Sequence, residues 1–435
     1  MESRRKFLKA AGAFAGAMAL SPLLSKAEAA TFEEKAKYFE SLDPVAAMND
    51  EDFWSWVRES FTVSTNIINL NNGGVAPQPK VVQDAHIRYY QLCNEGPSYY
   101  MWRILDAGRE PLRAKLAKLA GVSPEEIAIN RNSTEGLNTV IFGLNLKAGD
   151  EVILSKYDYP NMMNAWKQRE KREGIKLVWL DPVLPFQTDD EFVNLYAKAI
   201  TSKTKVVHIT HMINWTGQFV PAKKIADIAH AKGCEVIVDG AHSFGHTDFK
   251  IEDTGADYFA TSLHKWLNAP FGSGMLYIKK DKIKNIWALL SNDKPDGDDI
   301  RKFESLGTRS FASEMAISAA IDFHNVIGGK RKEERLRFLK NHWCEQVKDL
   351  KNVTFNTPRN APYGCAIMNF SIEGWEASEI EKHLFDKKKV HTVAIKFEKL
   401  NGVRVAPSIY TSTADLDILV EGIQEMAKME PPKKS

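Results

Sequence analysis

Two residues with chemically useful side chains, Asp239 and Lys265, each stand at the end of a predicted β-strand. The first strand reads Glu-Val-Ile-Val and ends in Asp239, and the second begins near Ala256 and leads into Ser262-x-His264-Lys265. In an open α/β sheet, ligands bind just beyond the carboxyl ends of the strands. We therefore expect the carboxylate and the amine to face one ligand site.

A carboxylate and a lysine in this arrangement suit pyridoxal 5'-phosphate (PLP). The lysine supplies the amine that joins the cofactor aldehyde, and a buried acid pairs the protonated pyridine nitrogen, so that the ring can withdraw electrons. Each residue also has a simpler interpretation. Asp239 can cap a turn or a helix, and a single lysine near a strand end is usually a solvated charge. The neighbouring motifs favour the PLP site.

A candidate phosphate site follows the predicted strand at 127–130. The next residues, from Arg131, read Arg-Asn-Ser-Thr-Glu-Gly and open a helix that we expect to continue through Leu144. Ser133 or Thr134 is expected to cap this helix, and the free N–H groups of a helix N-terminus bind phosphate. Capping without a phosphate is the alternative.

Two other stretches are candidates for contact with a cofactor ring or a substrate. Tyr159 follows a predicted strand at 151–154, and an aromatic side chain there can stack on a pyridine ring in the offset geometry that aromatic groups favour. Surface packing is the alternative for Tyr159. Asn72 and Gly73 follow a strand-like run at 67–70, in a Gly-Gly turn where backbone can approach a ligand closely. A plain turn is the alternative there.

These residues need a scaffold, and the chain supplies strands that alternate with helices. That alternation predicts a largely parallel, doubly wound sheet. The predicted strands lie at 67–70, 127–130, 151–154, 176–180, 205–210, 235–239, 256–262 and 275–278. Two helices are predicted between residues 78 and 120, and an amphipathic helix at 221–232 returns the chain to the Asp239 strand.

The last third of the chain predicts a smaller α+β domain. Long helices at 313–326 and 330–350 lead into it. Its further predicted elements are strands near 353–355, 365–370 and 393–395, a segment at 402–407, and helices at 377–385 and 413–428. The expected organisation is an N-terminal arm over residues 30–75, a large cofactor-binding domain over 76–320 and a small C-terminal domain over 321–435.

The first 29 residues read as an export signal. A charged start containing Arg4 and Arg5 precedes the small-residue-rich apolar stretch 10–24, and an Ala-x-Ala cleavage site ends at Ala29. The apolar stretch is too short for a spanning helix. The twin arginines resemble the bacterial Tat signal, which predicts export of a folded, cofactor-loaded protein to the periplasm or the cell exterior. An ordinary basic amphipathic start is the alternative.

The composition excludes several classes of function. The chain has 435 residues, 44% of them hydrophobic, which is enough for a large core. A net charge of +2, from 58 basic and 56 acidic residues, predicts no nucleic-acid partner, and the mature form is expected to have no membrane partner. The cysteines show no paired spacing, so neither a metal site nor a disulfide framework is indicated, although a bridge stays open in an exported protein.

Together these motifs resemble the class V aminotransferase family of fold-type I PLP-dependent enzymes. Asp-Gly-Ala-His at 239–242 and His-Lys-Trp-Leu-x-Ala-Pro-x-Gly-x-Gly at 264–274 look most like its isopenicillin N epimerase-like branch. The resemblance extends from Asn71 to Arg404. It implies an α/β fold in which a large domain, with a mostly parallel doubly wound sheet, carries a smaller C-terminal α+β domain. It also implies a homodimer with shared active sites.

The resemblance further implies a role for each matching position. Lys265 would be the Schiff-base lysine and Asp239 the partner of the pyridine nitrogen. Arg404 would clamp the substrate α-carboxylate, a task that suits its planar guanidinium. Asn72 and Gly73 are also assigned to the substrate. The other expected cofactor contacts are Ser133, Thr134, Ser262 and His264 to the phosphate, Tyr159 stacked on the ring, Asn214 and His242 near the 3'-oxygen, and Thr308 reaching the phosphate of the neighbouring subunit.

The implied activity is amino-acid chemistry through an external aldimine and a quinonoid, with Lys265 moving the α-proton. Lysine must be neutral to act as a base, so we expect its pKa to be depressed. Transamination, epimerisation and elimination share these residues. The sequence therefore predicts an aminotransferase or an epimerase that acts on an amino acid or a small peptide-like amine, without naming the substrate.

One departure from the family pattern bears on the reaction. Cysteine desulfurases of the family carry a nucleophilic cysteine shortly before the C-terminal arginine, whereas residues 391–403 contain none. Cys365 lies upstream in a predicted strand, where we expect a buried structural thiol. Persulfide-forming activity is thus disfavoured, and a PLP-dependent C–S lyase is the alternative enzyme. The non-enzyme alternative is a cofactor-free binding protein on the same fold, which the joint presence of Lys265, Asp239 and Arg404 disfavours.

Overall fold

The computed structural model describes residues 43–359 and 362–432. The predicted signal peptide at 1–29 and the first part of the predicted arm, residues 30–42, lie outside the described residues. Within the described ranges, no helix combines the length and the apolar character that a membrane crossing requires.

The strands build three sheets. They are β1 (Ile68–Asn69), β2 (Ile127–Asn130), β3 (Glu151–Ser155), β4 (Lys176–Leu180), β5 (Thr204–Thr210), β6 (Glu235–Asp239), β7 (Tyr258–Ser262), β8 (Gly274–Ile278), β9 (Val353–Phe355), β10 (Met368–Ile372), β11 (Val390–His391), β12 (Val393–Phe397) and β13 (Leu400–Val405). The large sheet has the spatial order β2-β8-β7-β6-β5-β3-β4. Only β8 runs against its neighbours there, so the carboxyl ends of β2, β3, β5, β6 and β7 share one edge.

The α-helices cover the sheets. They are α1 (Glu51–Glu59), α2 (Lys80–Glu95), α3 (Arg109–Ala120), α4 (Ser133–Gly143), α5 (Pro160–Glu173), α6 (Asp189–Ala199), α7 (Ala222–Ala231), α8 (Phe311–Ile327), α9 (Gly329–Val347), α10 (Ala377–Lys388) and α11 (Thr413–Ala427). Between α2 and α3, a helical turn at Pro97–Tyr99 continues into a π-helix at Tyr100–Leu105. The prediction of two simple helices over 78–120 is therefore corrected by this extra segment.

Strand alternation decides which helices cover each face of the large sheet. Ile153, Val207 and Val236 point into a core that α3, α6, α7 and α8 share. Their neighbours Val152 and Val206 point into a second core, which α4 and α5 close. Because successive strand residues face opposite sides, runs that are apolar at every position are buried on both faces, as parallel sheets require.

A four-stranded antiparallel sheet, in the order β12-β13-β10-β9, forms the core of the C-terminal part together with α9, α10 and α11. The short strand β1 pairs in parallel with β11, and Asn71 forms an isolated bridge with Ala406. These contacts attach the turn at residues 71–74, called the N-terminal turn, to the C-terminal part of the chain. The predicted α/β fold with a small α+β domain is confirmed. The predicted domain limits stay a prediction, and the limit between residues 320 and 321 falls within α8.

Most predicted elements lie within a few residues of their predicted limits. Strand β10 begins at Met368, so the predicted strand near 365–370 starts later and Cys365 precedes it. The expected cap of α4 is also corrected, because Asn132 rather than Ser133 or Thr134 accepts the N–H of Glu135, at 2.9 Å. The four cysteines are buried and free, which answers the open question of a disulfide.

Candidate active site

Lys265 and Asp239 lie at the carboxyl ends of adjacent strands. Asp239 is the last residue of β6, and Lys265 lies in the turn after β7. The Nζ atom of Lys265 is 3.1 Å from Nε2 of His242. Burial lowers the pKa of Lys265 to about 8, helped by the charge of Arg404 and opposed by Asp239. A larger fraction of this amine is therefore neutral near pH 7 than for a solvated lysine.

The Asp239 carboxyl is buried without a close cation. Its Oδ1 atom accepts the N–H of Ala241 at 3.0 Å, and burial raises its pKa, which Ala241 and Lys265 oppose. No lysine or arginine nitrogen of the described residues lies within 4.0 Å of it. A buried carboxylate is stable only when it is paired or hydrogen-bonded, so the site suits a ligand that brings a protonated nitrogen.

Glycine is required directly after Asp239. A Cβ atom on Gly240 would lie 1.8 Å from Cζ of Phe259, on the neighbouring strand β7. Any larger residue would push the turn after β6 away from the sheet. The Asp-Gly pair of the motif thus has a packing reason as well as a chemical one.

Ser133 and Ser262 meet although they belong to different elements. The N–H of Ser133 donates to Oγ of Ser262 at 3.0 Å, and the two hydroxyl oxygens are also 3.0 Å apart. Strand β8 lies between β2 and β7, but its first residue, Gly274, has no side chain. A Cβ there would lie 2.5 Å from the backbone nitrogen of Asn132. Because glycine has no Cβ, the segment before Ser133 can pass directly over the start of β8. The result is a pair of hydroxyls at the N-terminus of α4, where an anion is favoured.

Thr134 and His264 are the other two residues predicted to bind the phosphate, and each lies within two positions of this pair in the sequence. Thr134 is half-buried in the first turn of α4. Nδ1 of His264 lies 3.0 Å from the carbonyl oxygen of Ser273 and must therefore carry a proton. Burial lowers the pKa of His264, so its Nε2 is an acceptor in the free protein. A phosphate at Nε2 requires the imidazolium form, which the phosphate charge itself would favour.

His242 and Asn214 each keep a buried polar atom without a hydrogen-bond partner among the described residues. These atoms are Nδ1 of His242 and Oδ1 of Asn214. Burial holds the pKa of His242 well below its usual range, and the charges of Lys265 and Arg404 add to this effect, so the ring is neutral. A buried polar atom without a partner needs an explanation. These two belong to residues that contact Lys265 and Arg404, so a ligand bound at this site would supply their partners.

Arg404 is a buried cation whose partners are neutral. Its Nη1 donates to the carbonyl oxygen of Asn214 at 2.8 Å, and its Nη2 donates to Oδ1 of Asn71 at 2.9 Å. Its Nε is buried without a partner, and within the described chain no carboxylate oxygen lies within 4.0 Å. Burial lowers the pKa of Arg404 to about 10, which Tyr159 opposes. The guanidinium is thus prepared for a carboxylate from solution.

The structure assigns different tasks to the residues of the N-terminal turn. The Asn72 amide is fully engaged, because it donates to the carbonyls of Asn69 and Ala406 and accepts from Asn69 and Tyr410. Nothing of that amide is left for a substrate. Its neighbour Asn71 reaches Arg404 instead. A Cβ on Gly73 would lie 3.5 Å from Cε1 of His242, so the backbone of Gly73 borders the site.

Tyr159 precedes α5 and is 38% exposed at the edge that carries Asp239. Its neighbour Asp158 is buried and holds two strand ends together, since it accepts from the hydroxyl of Thr210 and the N–H of Ser155, both at 2.7 Å. Burial raises the pKa of Asp158 to about 7. Sequence reasoning did not find this role, although an acid directly before Tyr159 was a visible signal.

Thr308 does not join the other residues within this chain. It is exposed in the loop between a 3-10 helix at Ile300–Glu304 and α8, beside Gly307. Its expected contact was with a neighbouring subunit, so that role stays a prediction.

The sequence matches the family model for aminotransferase class V over residues 68–419. An isopenicillin N epimerase from Amycolatopsis lactamdurans is 27% identical over 394 residues, which are 86% of this chain and 99% of that protein. A probable cysteine desulfurase from Halalkalibacterium halodurans is also 27% identical, over 82% of this chain and 93% of its own length.

Solved structures share the fold. An apo cysteine desulfurase from Thermococcus onnurineus NA1 superposes with a TM-score of 0.75 at 23% identity, over 86% of this chain and 97% of that chain. A mutant of C-DES with glycine covalently linked to its PLP cofactor superposes with a TM-score of 0.76 at 22% identity, over 86% and 99% of the two chains. The family match covers well over half of the sequence, and the chain therefore belongs to the class V aminotransferase family, whose members are PLP-dependent enzymes.

Proposed function

We propose that this PLP enzyme acts at the α-carbon of an amino acid, as an aminotransferase or an epimerase. The observation that carries the proposal is Arg404, a buried guanidinium without a carboxylate partner in the described chain. It lies close enough to Lys265 to lower the pKa of that amine. A substrate carboxylate at Arg404 would thus place the α-carbon near the lysine.

The residues present fit PLP. The Ser133 and Ser262 hydroxyls at the start of α4 suit the phosphate, and the buried carboxyl of Asp239 suits a protonated pyridine nitrogen. The orphaned atoms of Asn214 and His242 suit a polar ring substituent, since the oxygen and nitrogen of an amide are interchangeable by rotation. Tyr159, at the same sheet edge, is proposed to stack on the ring.

PLP supplies the electron sink for bonds at the α-carbon, and the protein supplies position and proton transfer. Lys265 takes a proton in its neutral form, which its lowered pKa favours. His242 is neutral, and its Nε2 lies within hydrogen-bonding distance of the lysine, so it orients the amine. Arg404 holds the substrate carboxylate, and Asn71 and the Asn214 carbonyl hold the arginine.

A C–S lyase is the second candidate. It is supported by a solved structure titled as the cystine C–S lyase C-DES with cysteine persulfide, which superposes with a TM-score of 0.74 at 22% identity. A desulfurase mechanism through a protein cysteine is not supported, because Cys365 is fully buried and burial raises its pKa to about 12. A thiol of that kind is a poor nucleophile.

The test is the visible spectrum of the purified protein beside Lys265→Ala. We expect a band at ~420 nm, as for a cofactor joined to a lysine, that borohydride abolishes and the variant lacks. Amino acids that shift the band are then incubated in D₂O. Epimerisation gives the opposite enantiomer with deuterium, transamination gives a keto acid, and a lyase gives pyruvate and a sulfur product. A wild-type protein that neither shows the band nor binds added PLP would refute the proposal.

We also propose that the protein is exported folded through the Tat pathway to the periplasm or the cell exterior. The twin arginines at 4–5 and the Ala-x-Ala site ending at Ala29 support this. In a bacterial host, replacement of both arginines by lysine is expected to keep the protein in the cytoplasm at its full length. Cell fractionation with an antibody measures this, and unchanged export of the variant would contradict the proposal.

A further inference from the structure

Helix α9 carries a buried lysine that the proposed reaction does not use. Lys332 is 2% exposed, and its Nζ donates to the carbonyl oxygen of Trp266 and approaches Oδ1 of Asn268 at 3.5 Å. Among the described residues, no carboxylate oxygen lies within 4.0 Å of this amine. Burial lowers its pKa to about 7. Whether as ammonium or as amine, Lys332 can donate to Trp266.

The groups that Lys332 holds belong to the turn that carries Lys265. Trp266 is the next residue, and the N–H of Asn268 donates to the carbonyl oxygen of Lys265 at 3.3 Å. Asn268 has a φ of 58°, in the left-handed region, and its amide donates to the carbonyl of Pro77 at 3.0 Å. Asparagine adopts this conformation more readily than most other non-glycine residues, and its side-chain contacts give it further support. Lys332 supplies part of that support.

A second contact, made by His246, holds the same turn. The ring of His246 stacks on the indole of Trp266, with 3.6 Å between the ring centres and 18° between the planes. Its Nδ1 lies 2.8 Å from the carbonyl oxygen of His242, and its Nε2 accepts the N–H of Ala366 at 3.0 Å. The backbones of Lys265 and His242, whose side chains touch, are therefore both tied to the C-terminal part of the chain.

Burial of an amine without a carboxylate has a cost in stability, and an apolar residue of similar volume often gives a more stable protein. A lysine at this position is better explained by a specific contact. The contact ends one residue from Lys265, and small displacements of a reacting group have large effects on rate.

We propose that Lys332 is a positioning residue for Lys265, which aims the Lys265 amine at the cofactor aldehyde by holding the Trp266 carbonyl. The inference rests on the proposed role of Lys265. In the step concerned, the neutral Nζ of Lys265 adds to the aldehyde carbon, a carbon–nitrogen double bond forms, and the aldehyde oxygen leaves as water with both protons of the amine.

The test separates cofactor binding from covalent attachment. Full-length protein freed of cofactor is mixed with PLP, and the rate of appearance of the band at ~420 nm reports attachment. The affinity for 4'-deoxypyridoxine 5'-phosphate, which has no aldehyde, is measured by quenching of tryptophan fluorescence. The variants are Lys332→Met, which removes the donor, and Lys332→Gln, which keeps a neutral donor.

The same helix offers a matched control. Lys340 is also 2% exposed, and it too donates to a backbone carbonyl, that of Arg359, at 2.6 Å. Lys340→Met therefore has the same burial chemistry without the link to Trp266. A second variant that removes the donor to the Trp266 carbonyl is Lys332→Leu, which is also apolar.

For Lys332→Met we expect attachment slower by about tenfold or more, because misplacement by about 1 Å costs up to about a hundredfold. Affinity for the deoxy analogue should stay within about twofold, and Lys332→Gln should recover part of the rate. Lys340→Met should attach PLP at the wild-type rate. Equal losses in both lysine variants, or a parallel loss of analogue affinity, would overturn the inference. Should Lys332→Met fail to fold, Lys332→Leu takes its place, and attachment at the wild-type rate by that variant would also overturn the inference. A wild-type protein without the band would instead refute the role of Lys265.

Discussion

At the scale of single residues, the site is a set of groups whose charges are not balanced within the chain. Arg404 has neutral partners, Asp239 has no close cation, and Lys265 is next to a neutral histidine. Each imbalance costs stability unless a ligand completes it. We interpret the imbalances as the complement of a cofactor and a substrate carboxylate.

Arg404→Lys tests the carboxylate contact. The variant keeps the charge but loses the planar pair of donors to a carboxylate, so we expect kcat/KM to fall by about 10²–10³, or about 3–4 kcal/mol. The loss should appear mainly in KM, and PLP attachment should be nearly unchanged. Steady-state kinetics and the absorbance band measure the two effects. A variant that loses kcat alone, at an unchanged KM, would contradict the assignment.

Covalent attachment of PLP should depend on pH through Lys265. The attacking form is the neutral amine, so the rate should rise with pH and level off above a midpoint near pH 8, the pKa that burial produces. Arg404→Met should move the midpoint up, because the arginine lowers this pKa, and Asp239→Asn should move it down, because the aspartate raises it. Stopped-flow absorbance measures the rates. A midpoint above pH 10, as for a solvated lysine, would show that burial does not act on this amine.

At the scale of elements, the phosphate site depends on how closely α4 approaches the sheet. A Cβ on Gly136 would lie 2.6 Å from Nδ2 of Asn130 and 2.9 Å from Cβ of Ala260. Such spacing lets the first turn of α4 bring Ser133 to Ser262. Gly136 in α4 and Gly274 in β8 thus both make the contact between Ser133 and Ser262 possible.

Gly136→Ala should therefore lower the free energy of unfolding, although alanine favours a helix more than glycine does. The gain in helix propensity is about 1 kcal/mol, whereas overpacking costs about 1–3 kcal/mol. We expect a lower urea midpoint and a several-fold weaker affinity for 4'-deoxypyridoxine 5'-phosphate. Adding Ala260→Gly should recover part of both, because it removes one of the two clashing atoms. A more stable variant with unchanged affinity would show that α4 can move away from the sheet at little cost, and would contradict this prediction.

At the scale of the whole molecule, five large apolar side chains are exposed on α2 and on the helical segment that follows it. They are Ile87 and Tyr90 of α2 and Tyr99, Trp102 and Ile104 of that segment, together called the apolar surface, and each is at least 43% exposed. The Trp102 ring lies 5.0 Å from that of Phe311, and the Arg309 guanidinium lies 5.8 Å from it. Arg309 follows Thr308, so the apolar surface borders the loop that was expected to serve a neighbouring subunit. We therefore propose a homodimer through this surface, because exposed apolar side chains beside a loop expected to serve a neighbouring subunit suit an interface.

The double variant Tyr90→Glu with Trp102→Glu should be monomeric, because buried unpaired charges disrupt an interface. Light scattering of the wild type should give twice the monomer mass. PLP affinity should fall in the variant if Thr308 completes the phosphate site of its partner. Val183→Glu is the control, since Val183 is 77% exposed outside this surface. A monomeric wild type, or a dimeric double variant, would refute the proposed interface.

Local patterns in the sequence predicted the strands, the helices and the ligand edge. Apolar β-branched runs such as Val236–Val238 and periodic helices such as α7 are decided by neighbouring residues, so their limits were found to within a few positions. Asn132 was missed as the cap of α4 because several adjacent residues can cap a helix. The π-helix after α2 was missed because its sequence has no signal distinct from that of an α-helix.

By itself, the sequence determined the kinds of chemical group present and the strand ends that carry them, and with them the family. Tertiary structure decided the pairs: Asn71 with Arg404, Ser133 with Ser262, and Lys332 with Trp266. The physical reason is that side-chain periodicity reports only which face of an element is buried. Which distant elements become neighbours depends on the strand order and the packing of the whole chain, and no local pattern encodes that order.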